Sequence, residues 1–314
     1  MATSQLAQLP EVERLSPACI RILGGNPGKF TLQGTNTYLL GTGRSRLLVD
    51  TGEGRPSWAV ALRRVLLDED ATVSEVVLTH WHHDHVSGVP DLLGDPRTAG
   101  ARIYKSRRRW GDAARDAVRD ALESTTQQQT QQTQQEQLDI VDGHVFRAEG
   151  ATLTAVHTPG HTADHVALLL AEEDACLTGD CVLGQGTAVF EDLAAYVDSL
   201  RRLQPQFGGR VYPGHGPVVE KGPDRIAEYI AHRQQREDQV LETLRGTTAA
   251  GSGGGAVAAG MTAMELVKII YSDVREDLHP AAERGVLQIL AKLQGEDKVA
   301  MQGEAWTLKT RSTL

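Results

Sequence analysis

The sequence predicts an α/β fold of layered sheets and helices, followed by a small module of a different kind. Up to residue 245, short apolar and β-branched segments alternate with helical patterns, which is typical of α/β layering. Residues 246–260 are rich in Gly, Ala, Ser and Thr and have the composition of a flexible linker. Residues 261–314 then give two helical patterns and a hairpin. We therefore expect a main domain at 1–245, a linker at 246–260 and a second module at 261–314.

The composition excludes several classes of protein. A chain of 314 residues with 40% hydrophobic residues can bury a full core, and a net charge of -9 argues against a general nucleic-acid-binding surface. Cys19, Cys176 and Cys181 show no C-x-x-C spacing, so neither a disulfide framework nor a structural zinc site is expected. The first residues do not have the pattern of a targeting segment, and no run approaches about 18 apolar residues. We expect a cytoplasmic protein without membrane association.

Local patterns predict each element of the main domain. Residues 1–16 are polar and are expected to be frayed. Period-two and apolar runs predict eight strands, at 18–23, 37–40, 46–50, 75–79, 101–104, 152–157, 166–170 and 175–178, and a further strand at 210–212. Periodic apolar faces predict helices at 57–68, 193–203 and about 224–244. The glutamine-rich stretch 127–137, within about 124–137, has no apolar residue and is expected to be a disordered insertion.

The second module has its own signals. Thr262 with Glu265 three residues later is a capping box, which predicts the start of a helix. A second helix carries Val286, Leu290 and Leu293, and a hairpin at 298–308 follows it. Two helices and a hairpin indicate a winged-helix-like module. Its seven Lys and Arg against eight Asp and Glu favour packing or partner contact over nucleic-acid binding.

The segment 79–85, Thr-His-Trp-His-His-Asp-His, carries the strongest functional signal and follows an apolar strand. Neutral imidazoles and carboxylates are ligands of first-row metals, and His80, His82, Asp84 and His85 fall within six positions. Three further side chains of ligand type each stand beside a glycine at a predicted strand end, and these are His161, Asp180 and His215. A polar surface loop that happens to contain histidines would not explain these later residues. The sequence therefore predicts a site for two metal ions.

This order of residues, H-x-H-x-D-H followed by a separate His, an Asp and a last His, resembles the metallo-β-lactamase superfamily. The resemblance implies an αββα sandwich with two Zn²⁺ ions per chain. It divides the ligands into His80, His82 and His161 for one ion, Asp84, His85 and His215 for the other, and Asp180 as the bridge. It also places Asp50 near the metals as support for a histidine ligand. Asp180 stands where the penicillin-hydrolysing members have Cys, which argues against a β-lactamase.

Two bound metals predict hydrolysis by a hydroxide formed from a shared water, because a zinc-bound water has a pKa of about 7. Asp84 is expected to be catalytic, orienting this nucleophile and relaying its proton while it serves as a ligand. His165 is expected either to support a ligand or to assist the leaving group. The remaining histidines and cysteines are expected to take no part in catalysis. His83 should point away from the metals, and ordinary surface histidines are expected at His144, His232 and His279. Small buried side chains are expected at Cys176 and Cys181.

Longer segments extend the resemblance to the lactamase-β-like-2 group over nearly the whole chain. They are residues 25–28, 32–39, 79–85, 158–165, 186–193, 212–217 and 264–271. One branch of this group comprises animal mitochondrial endoribonucleases. Another comprises fungal thioesterases that release aromatic polyketides, such as atrochrysone carboxylic acid, from the acyl carrier protein of a non-reducing polyketide synthase.

The thioesterase is the first functional hypothesis. The glutamine-rich insertion is fungal in style, a mitochondrial targeting pattern is missing before the first predicted strand, and the C-terminal module is not basic. A thiolate also leaves without a strong general acid. The alternatives are a single-strand-specific endoribonuclease, for which nucleic acid would be the partner, and a metal-binding scaffold without activity.

Arg107, Arg108 and Arg109 form the densest basic stretch of an acidic chain. They are compatible with a solvated helix face, because Asp112, Asp116 and Asp120 follow them. They are also compatible with a docking site for an anion. Such a site would serve an acidic acyl carrier protein or an RNA, so the cluster does not distinguish the two hypotheses.

Overall fold

The computed structural model describes residues 6–107, 137–250, 260–272 and 274–309. The chain divides into two compact units. Unit 1 consists of Met1–Glu191 and Asp198–Ala227, and unit 2 of Asp192–Val197 and Glu228–Leu314. Arg108, Arg109 and residues 127–136 of the glutamine-rich stretch lie outside the described residues.

Unit 1 contains a seven-stranded sheet whose strands lie in sequence order. Its strands are β1 (Val12–Ser16), β2 (Cys19–Leu23), β3 (Asn36–Leu40), β4 (Ser45–Val49), β5 (Thr72–Leu78), β6 (Arg102–Lys105) and β7 (Gln137–Leu138). The first four strands pair antiparallel, and β4 to β7 pair parallel. Parallel pairing requires crossover connections, and helices supply them between β4, β5 and β6.

A second sheet of five strands has the order β12-β11-β10-β9-β8. Its strands are β8 (Val145–Ala148), β9 (Ala151–His157), β10 (Val166–Leu170), β11 (Ala175–Gly179) and β12 (Val211–Pro213). Side-chain alternation builds the core between the sheets. Leu47 and Val49 of β4 lie in one cluster with Leu153 and Leu168 of the second sheet, whereas Leu48 lies in the cluster on the opposite face.

The α-helices described up to Ala250 are α1 (Pro56–Asp68), α2 (His83–Val86), α3 (Val89–Leu93), α4 (Leu193–Leu203) and α5 (Gly222–Ala250). Trp58, Leu62 and Val65 of α1 pack on the outer face of the seven-stranded sheet, as the apolar pattern predicts. Ser199 of α4 donates a hydrogen bond to the carbonyl of Pro159, just beyond β9. None of the helices in the described ranges combines the length and apolar composition that crossing a bilayer requires.

The C-terminal part of unit 2 contains α6 (Ala263–Ile270), α7 (His279–Gly295) and the hairpin of β13 (Val299–Gln302) and β14 (Ala305–Leu308). The predicted capping box is present, because Thr262 and Glu265 each bind the other's backbone N–H. Lys292 of α7 forms a buried ion pair with Glu237 at 2.7 Å. Burial alone would lower the pKa of Lys292, but the carboxylates of Glu237 and Glu296 raise it.

Four expectations from the sequence are wrong. Residues 12–16, expected to be frayed, form β1, which pairs antiparallel with β2 and packs Val12 and Leu15 against the core. Gln137, expected in the disordered insertion, is buried in β7, where backbone pairing with β6 holds it. The long helix continues to Ala250, so 246–250 are helical and not part of a linker. His279 is buried rather than at the surface, with Nε2 3.1 Å from the carbonyl of Val274.

Candidate metal centre

The carboxyl ends of several strands of unit 1 carry side chains of ligand type. Leu78 ends β5, and the chain then passes through His80 and His82 into α2. In the second sheet, β9, β11 and β12 run in the same direction, so their carboxyl ends meet at one edge. The structure thereby brings together all seven side chains that the sequence singles out: His80, His82, Asp84, His85, His161, Asp180 and His215.

The first ligand group consists of His80, His82 and His161. Nδ1 of His82 lies 3.0 Å from Nε2 of His80 and 3.0 Å from Nε2 of His161, and the two Nε2 atoms are 3.2 Å apart. A tetrahedral zinc ion with bonds of about 2.0–2.1 Å separates its ligand atoms by about 3.4 Å. The three nitrogens therefore form a triangle of the size that a first-row metal ion requires.

The second ligand group consists of Asp84, His85 and His215. Oδ2 of Asp84 lies 3.4 Å from Nε2 of His85 and 3.2 Å from Nε2 of His215, and the two nitrogens are 3.4 Å apart. All three residues are buried. A carboxylate and two imidazoles at these separations fit a second divalent cation.

Asp180 contacts both ligand groups. Its Oδ2 lies 3.6 Å from Nε2 of His161 and 3.2 Å from Nε2 of His215, and its Oδ1 lies 3.4 Å from Nε2 of His85. Oδ2 thus lies between the two groups, and a carboxylate in this position can bridge two cations. The geometry therefore agrees with the bridging role that the family resemblance implies for Asp180.

Contacts behind the rings decide which nitrogen faces the centre. Nδ1 of His161 lies 2.7 Å from the carbonyl of Val189, and Nδ1 of His85 lies 2.7 Å from Oδ2 of Asp50. Carbonyl and carboxylate oxygens only accept, so Nδ1 carries the proton in both rings. Nε2 then presents a lone pair to the centre, as a metal ligand must.

Asp50 is held at the end of β4 by two further hydrogen bonds. The backbone N–H of Thr79 donates to Oδ1 at 2.8 Å, and the Thr79 hydroxyl donates to Oδ2 at 2.9 Å. Because this hydroxyl donates to Asp50, it accepts the proton of His80 Nδ1, which lies 2.9 Å away. The backbone of Asp50 has φ +59°, a left-handed conformation that Asp tolerates better than most residues.

The protonation of the two groups differs in the metal-free protein. Burial lowers the pKa of His82 to about 4, with the imidazole of His161 adding to the effect, and burial also lowers the pKa of His80 and His161. Burial alone would lower the pKa of His215, but the carboxylate of Asp180 and a hydrogen bond to Asp84 raise it to about 9. Without metal, the imidazoles of the first group are therefore neutral and offer nitrogen lone pairs. The second group instead carries a proton on His215.

His165 supports the centre from behind. It is fully buried, its Nε2 accepts the backbone N–H of Asp180 at 3.1 Å, and its Nδ1 lies 2.8 Å from the Thr158 hydroxyl. Both nitrogens are engaged with protein groups, and burial holds its pKa well below the ordinary value. Of the two roles that the sequence leaves open, these contacts support positioning of Asp180 and not donation to a leaving group.

The remaining candidates lie outside the centre or contribute no reactive group. The side chain of His83 is 73% exposed, as expected for a residue that points away. Cys19, Cys176 and Cys181 are buried, and burial raises the pKa of each thiol. Arg107 belongs to the basic cluster. Its Nη2 donates to the carbonyl of Gln137 at 2.7 Å, so this side chain helps to keep β7 in place.

Sequence reasoning does not find the residues that brace the ligand loops. Asn36 is one of these: its Nδ2 donates to the carbonyls of Pro213 and Gly216, on both sides of His215. Another brace is the buried ion pair of Lys105 with Asp164, 2.6 Å apart, beside the loop that carries His161. The sequence signal for such a residue is a polar side chain at the end of an apolar strand. This signal does not indicate which loop the side chain contacts.

Comparisons with known protein families agree with this geometry. The model of the metallo-beta-lactamase superfamily matches residues 30–215. The model of the beta-lactamase associated winged helix domain matches residues 262–306, which confirms the prediction of a winged-helix-like module.

Curated fungal proteins are similar over nearly the whole chain. The lactamase-like protein aptB of Emericella nidulans is 43% identical and aligns over 96% of this chain and 91% of its own length. The atrochrysone carboxyl ACP thioesterase of Aspergillus chevalieri is 41% identical over 95% of this chain and 88% of its own length. The atrochrysone carboxyl ACP thioesterase nsrC of Aspergillus novofumigatus is 43% identical over 87% of this chain and 77% of its own length.

Solved structures share the fold. A beta-lactamase domain protein from Burkholderia ambifaria superposes with a TM-score of 0.72 at 18% identity, covering 98% of this chain and 96% of that one. A metallo-beta-lactamase family protein from Thermus thermophilus gives a TM-score of 0.66 at 24% identity, covering 94% of this chain and all of that one. At these identities the likeness concerns the fold alone.

Proposed function

The chain belongs to the metallo-beta-lactamase superfamily, and on this basis we propose that it is a dinuclear metal-dependent thioesterase. Its substrate would be a polyketide acid held as a thioester on the acyl carrier protein of a non-reducing polyketide synthase. The observation that carries the proposal is the complete pair of ligand groups around Asp180 in a chain 41% identical to an atrochrysone carboxyl ACP thioesterase.

We assign two Zn²⁺ ions per chain to the centre. His80, His82 and His161 would hold one ion, Asp84, His85 and His215 the other, and Asp180 both. When bound, such ions supply Lewis acidity for the thioester carbonyl and lower the pKa of a shared water to about 7. The donor set supports this assignment, because imidazole nitrogens and carboxylate oxygens are the ligands of catalytic zinc.

Asp84 is the catalytic residue in this proposal. Its Oδ2 faces His85 and His215, so we assign its other oxygen the task of orienting the attacking water and accepting its proton. Asp84 is only 8% exposed, so the surrounding chain limits the access of bulk solvent to this carboxylate.

The leaving group does not require a protein acid. The thiolate of a thiol with a pKa of about 8.5 leaves readily at neutral pH, which agrees with a His165 that is fully buried and engaged on both nitrogens. A cysteine nucleophile is disfavoured for the same centre, because all three thiols are buried with raised pKa values.

Paired assays test the proposal. The zinc-loaded protein is given an aromatic polyketide thioester on an acyl carrier protein and, separately, a single-stranded RNA. We expect release of the free acid, no cleavage of the RNA, and loss of release in Asp84→Ala. Cleavage of RNA without thioester hydrolysis would instead establish the endoribonuclease alternative. Activity that persists after complete removal of metal would refute the dinuclear site.

A further inference from the structure

Thr35 contacts two of the three members of the second ligand group. Its hydroxyl lies 3.1 Å from Oδ2 of Asp84, and its backbone forms an antiparallel bridge with His215. Thr35 is fully buried, so water does not compete for its hydroxyl. It sits just before β3, 49 residues before Asp84 in the chain.

Asn26 fixes the direction of this hydrogen bond. The backbone N–H of Thr35 donates to a side-chain atom of Asn26 at 2.9 Å, so that atom is the amide oxygen, Oδ1. The other amide atom, Nδ2, is then a donor, and it lies 3.1 Å from Oγ1 of Thr35. Because Oγ1 accepts from Asn26, its single proton is directed to the carboxylate of Asp84.

The backbone around Asn26 leaves little freedom for another arrangement. Gly24 N–H donates to the carbonyl of Thr35 at 2.7 Å, and the Thr31 hydroxyl donates to the carbonyl of Asn26 at 2.6 Å. A Cβ at Gly24 would lie 2.8 Å from Oδ1 of Asn26, and one at Gly34, which has φ +123°, would lie 3.2 Å from the same atom. The two glycines thus let the amide lie against the backbone.

We propose that Thr35, oriented by Asn26, is a positioning residue that aligns the Asp84 carboxylate for the cation of the second ligand group. The inference rests on the proposed dinuclear function. It adds that a substitution can change the affinity for one ion without changing the affinity for the other. The first group has other supports: Thr79 behind His80 and the Val189 carbonyl behind His161. Loss of the Thr35 hydroxyl should therefore weaken one metal position and leave the other intact.

The test compares Thr35→Val, which keeps the shape and removes the hydroxyl, with Thr35→Ser, which keeps the hydroxyl. Zn²⁺ affinity and stoichiometry are measured by competition with a chromophoric chelator, without recourse to activity. In Thr35→Val we expect one tight ion as in the parent and a second bound about 10–100-fold more weakly, the usual loss when a partner behind a metal ligand is removed. Thr35→Ser should restore the second position.

Thr98→Val is the matched control. Thr98 is also buried, and its hydroxyl donates to the carbonyl of Leu92 at 2.6 Å, on a different loop of unit 1. This variant should lose stability but keep both affinities. Unchanged affinities in Thr35→Val, an equal loss at both positions, or a Thr35→Ser as defective as Thr35→Val would each overturn the inference.

Asn26→Asp provides a second variant, should Thr35→Val not fold. A carboxylate at position 26 can only accept, so the Thr35 hydroxyl would turn to it and away from Asp84. We expect weaker binding of the second ion, although an added negative charge would by itself strengthen it; stronger binding would contradict the inference. If the parent chain binds fewer than two ions, the dinuclear proposal itself fails, whereas two tight ions in every variant refute only the role of Thr35.

Discussion

Oδ2 of Asp50 lies 2.7 Å from Nδ1 of His85, and both side chains are buried. The carboxylate also accepts two hydrogen bonds from Thr79, so it is fixed before it meets the ring. The contact determines that His85 presents Nε2 to the second ligand group. A residue that binds no metal thereby decides the direction in which a ligand points.

Asp50→Asn should weaken binding of the second ion by about 10–100-fold. Asn suits the left-handed backbone at this position, so the fold should persist, but an amide lacks the charge that favours the His85 Nδ1 proton. Chelator competition measures the loss, and circular dichroism confirms the fold. An affinity equal to that of the parent would show that the Asp50 charge does not matter for the ligand.

Asp84→Ala should lower kcat by about 10²–10⁴-fold, because it removes a proposed ligand and the proposed proton acceptor together. Its control is Asp91→Ala, on the exposed side of α3, which should keep parental activity. The measurement is steady-state release of the acid, with metal content determined on the same samples. Near-parental turnover in Asp84→Ala would exclude it as the catalytic residue.

The stability of the metal-free protein should fall as the pH rises from about 6.5 to about 9. The folded chain holds a proton on His215 up to a pKa of about 9, whereas the ordinary value is 6.5. Stabilisation from this proton is complete below pH 6.5 and is lost as the pH rises through the folded pKa, and it amounts to on the order of 3 kcal/mol.

Urea unfolding across this pH range, with chelator and with zinc, measures the effect. In the zinc-loaded protein a ligand imidazole carries no proton on the metal side, so stability should not decline over the same range. Parallel curves for the two forms would mean that protonation of the second ligand group, in which the pKa of His85 is raised as well, does not cause the decline.

Reversing the charges of Arg108 and Arg109 to Glu should slow capture of a carrier-bound substrate. Carrier surfaces are typically acidic, and a chain of net charge -9 needs a local positive patch to attract them. Arg107 stays in place because it holds the carbonyl of Gln137. We expect kcat/KM for the carrier substrate to fall by about tenfold or more at low salt, with a smaller loss at high salt.

A small thioester without the carrier should be hydrolysed at the parental rate by this variant. The control for net charge is Arg44→Glu with Arg201→Glu, two exposed positions outside the basic cluster. Equal losses on the carrier substrate and the small thioester would assign the arginines to the fold or the site entrance and end the docking hypothesis.

Local patterns predict much of the fold. Trp58 and Val65 lie on the buried face of α1, and the capping box of Thr262 and Glu265 begins α6, because both depend only on spacing along one helix. Short strands with few apolar residues are missed, even where one or two of their side chains reach the core, as Val12 and Leu15 of β1 do. β1 and Gln137 of β7 form through backbone pairing with a neighbour, which leaves no periodic trace in the sequence.

The seven candidate ligands of the metal centre can be identified from the sequence, since metal chemistry restricts the residue types and each of them comes shortly after a predicted strand. The residues that hold those ligands become apparent only in the folded chain. The pairs Asp50 with His85, Thr35 with Asp84 and His165 with Asp180 join residues 35, 49 and 15 positions apart. Such contacts arise where strand ends meet after the two sheets pack, and hydrogen-bond direction then fixes each ring and carboxylate.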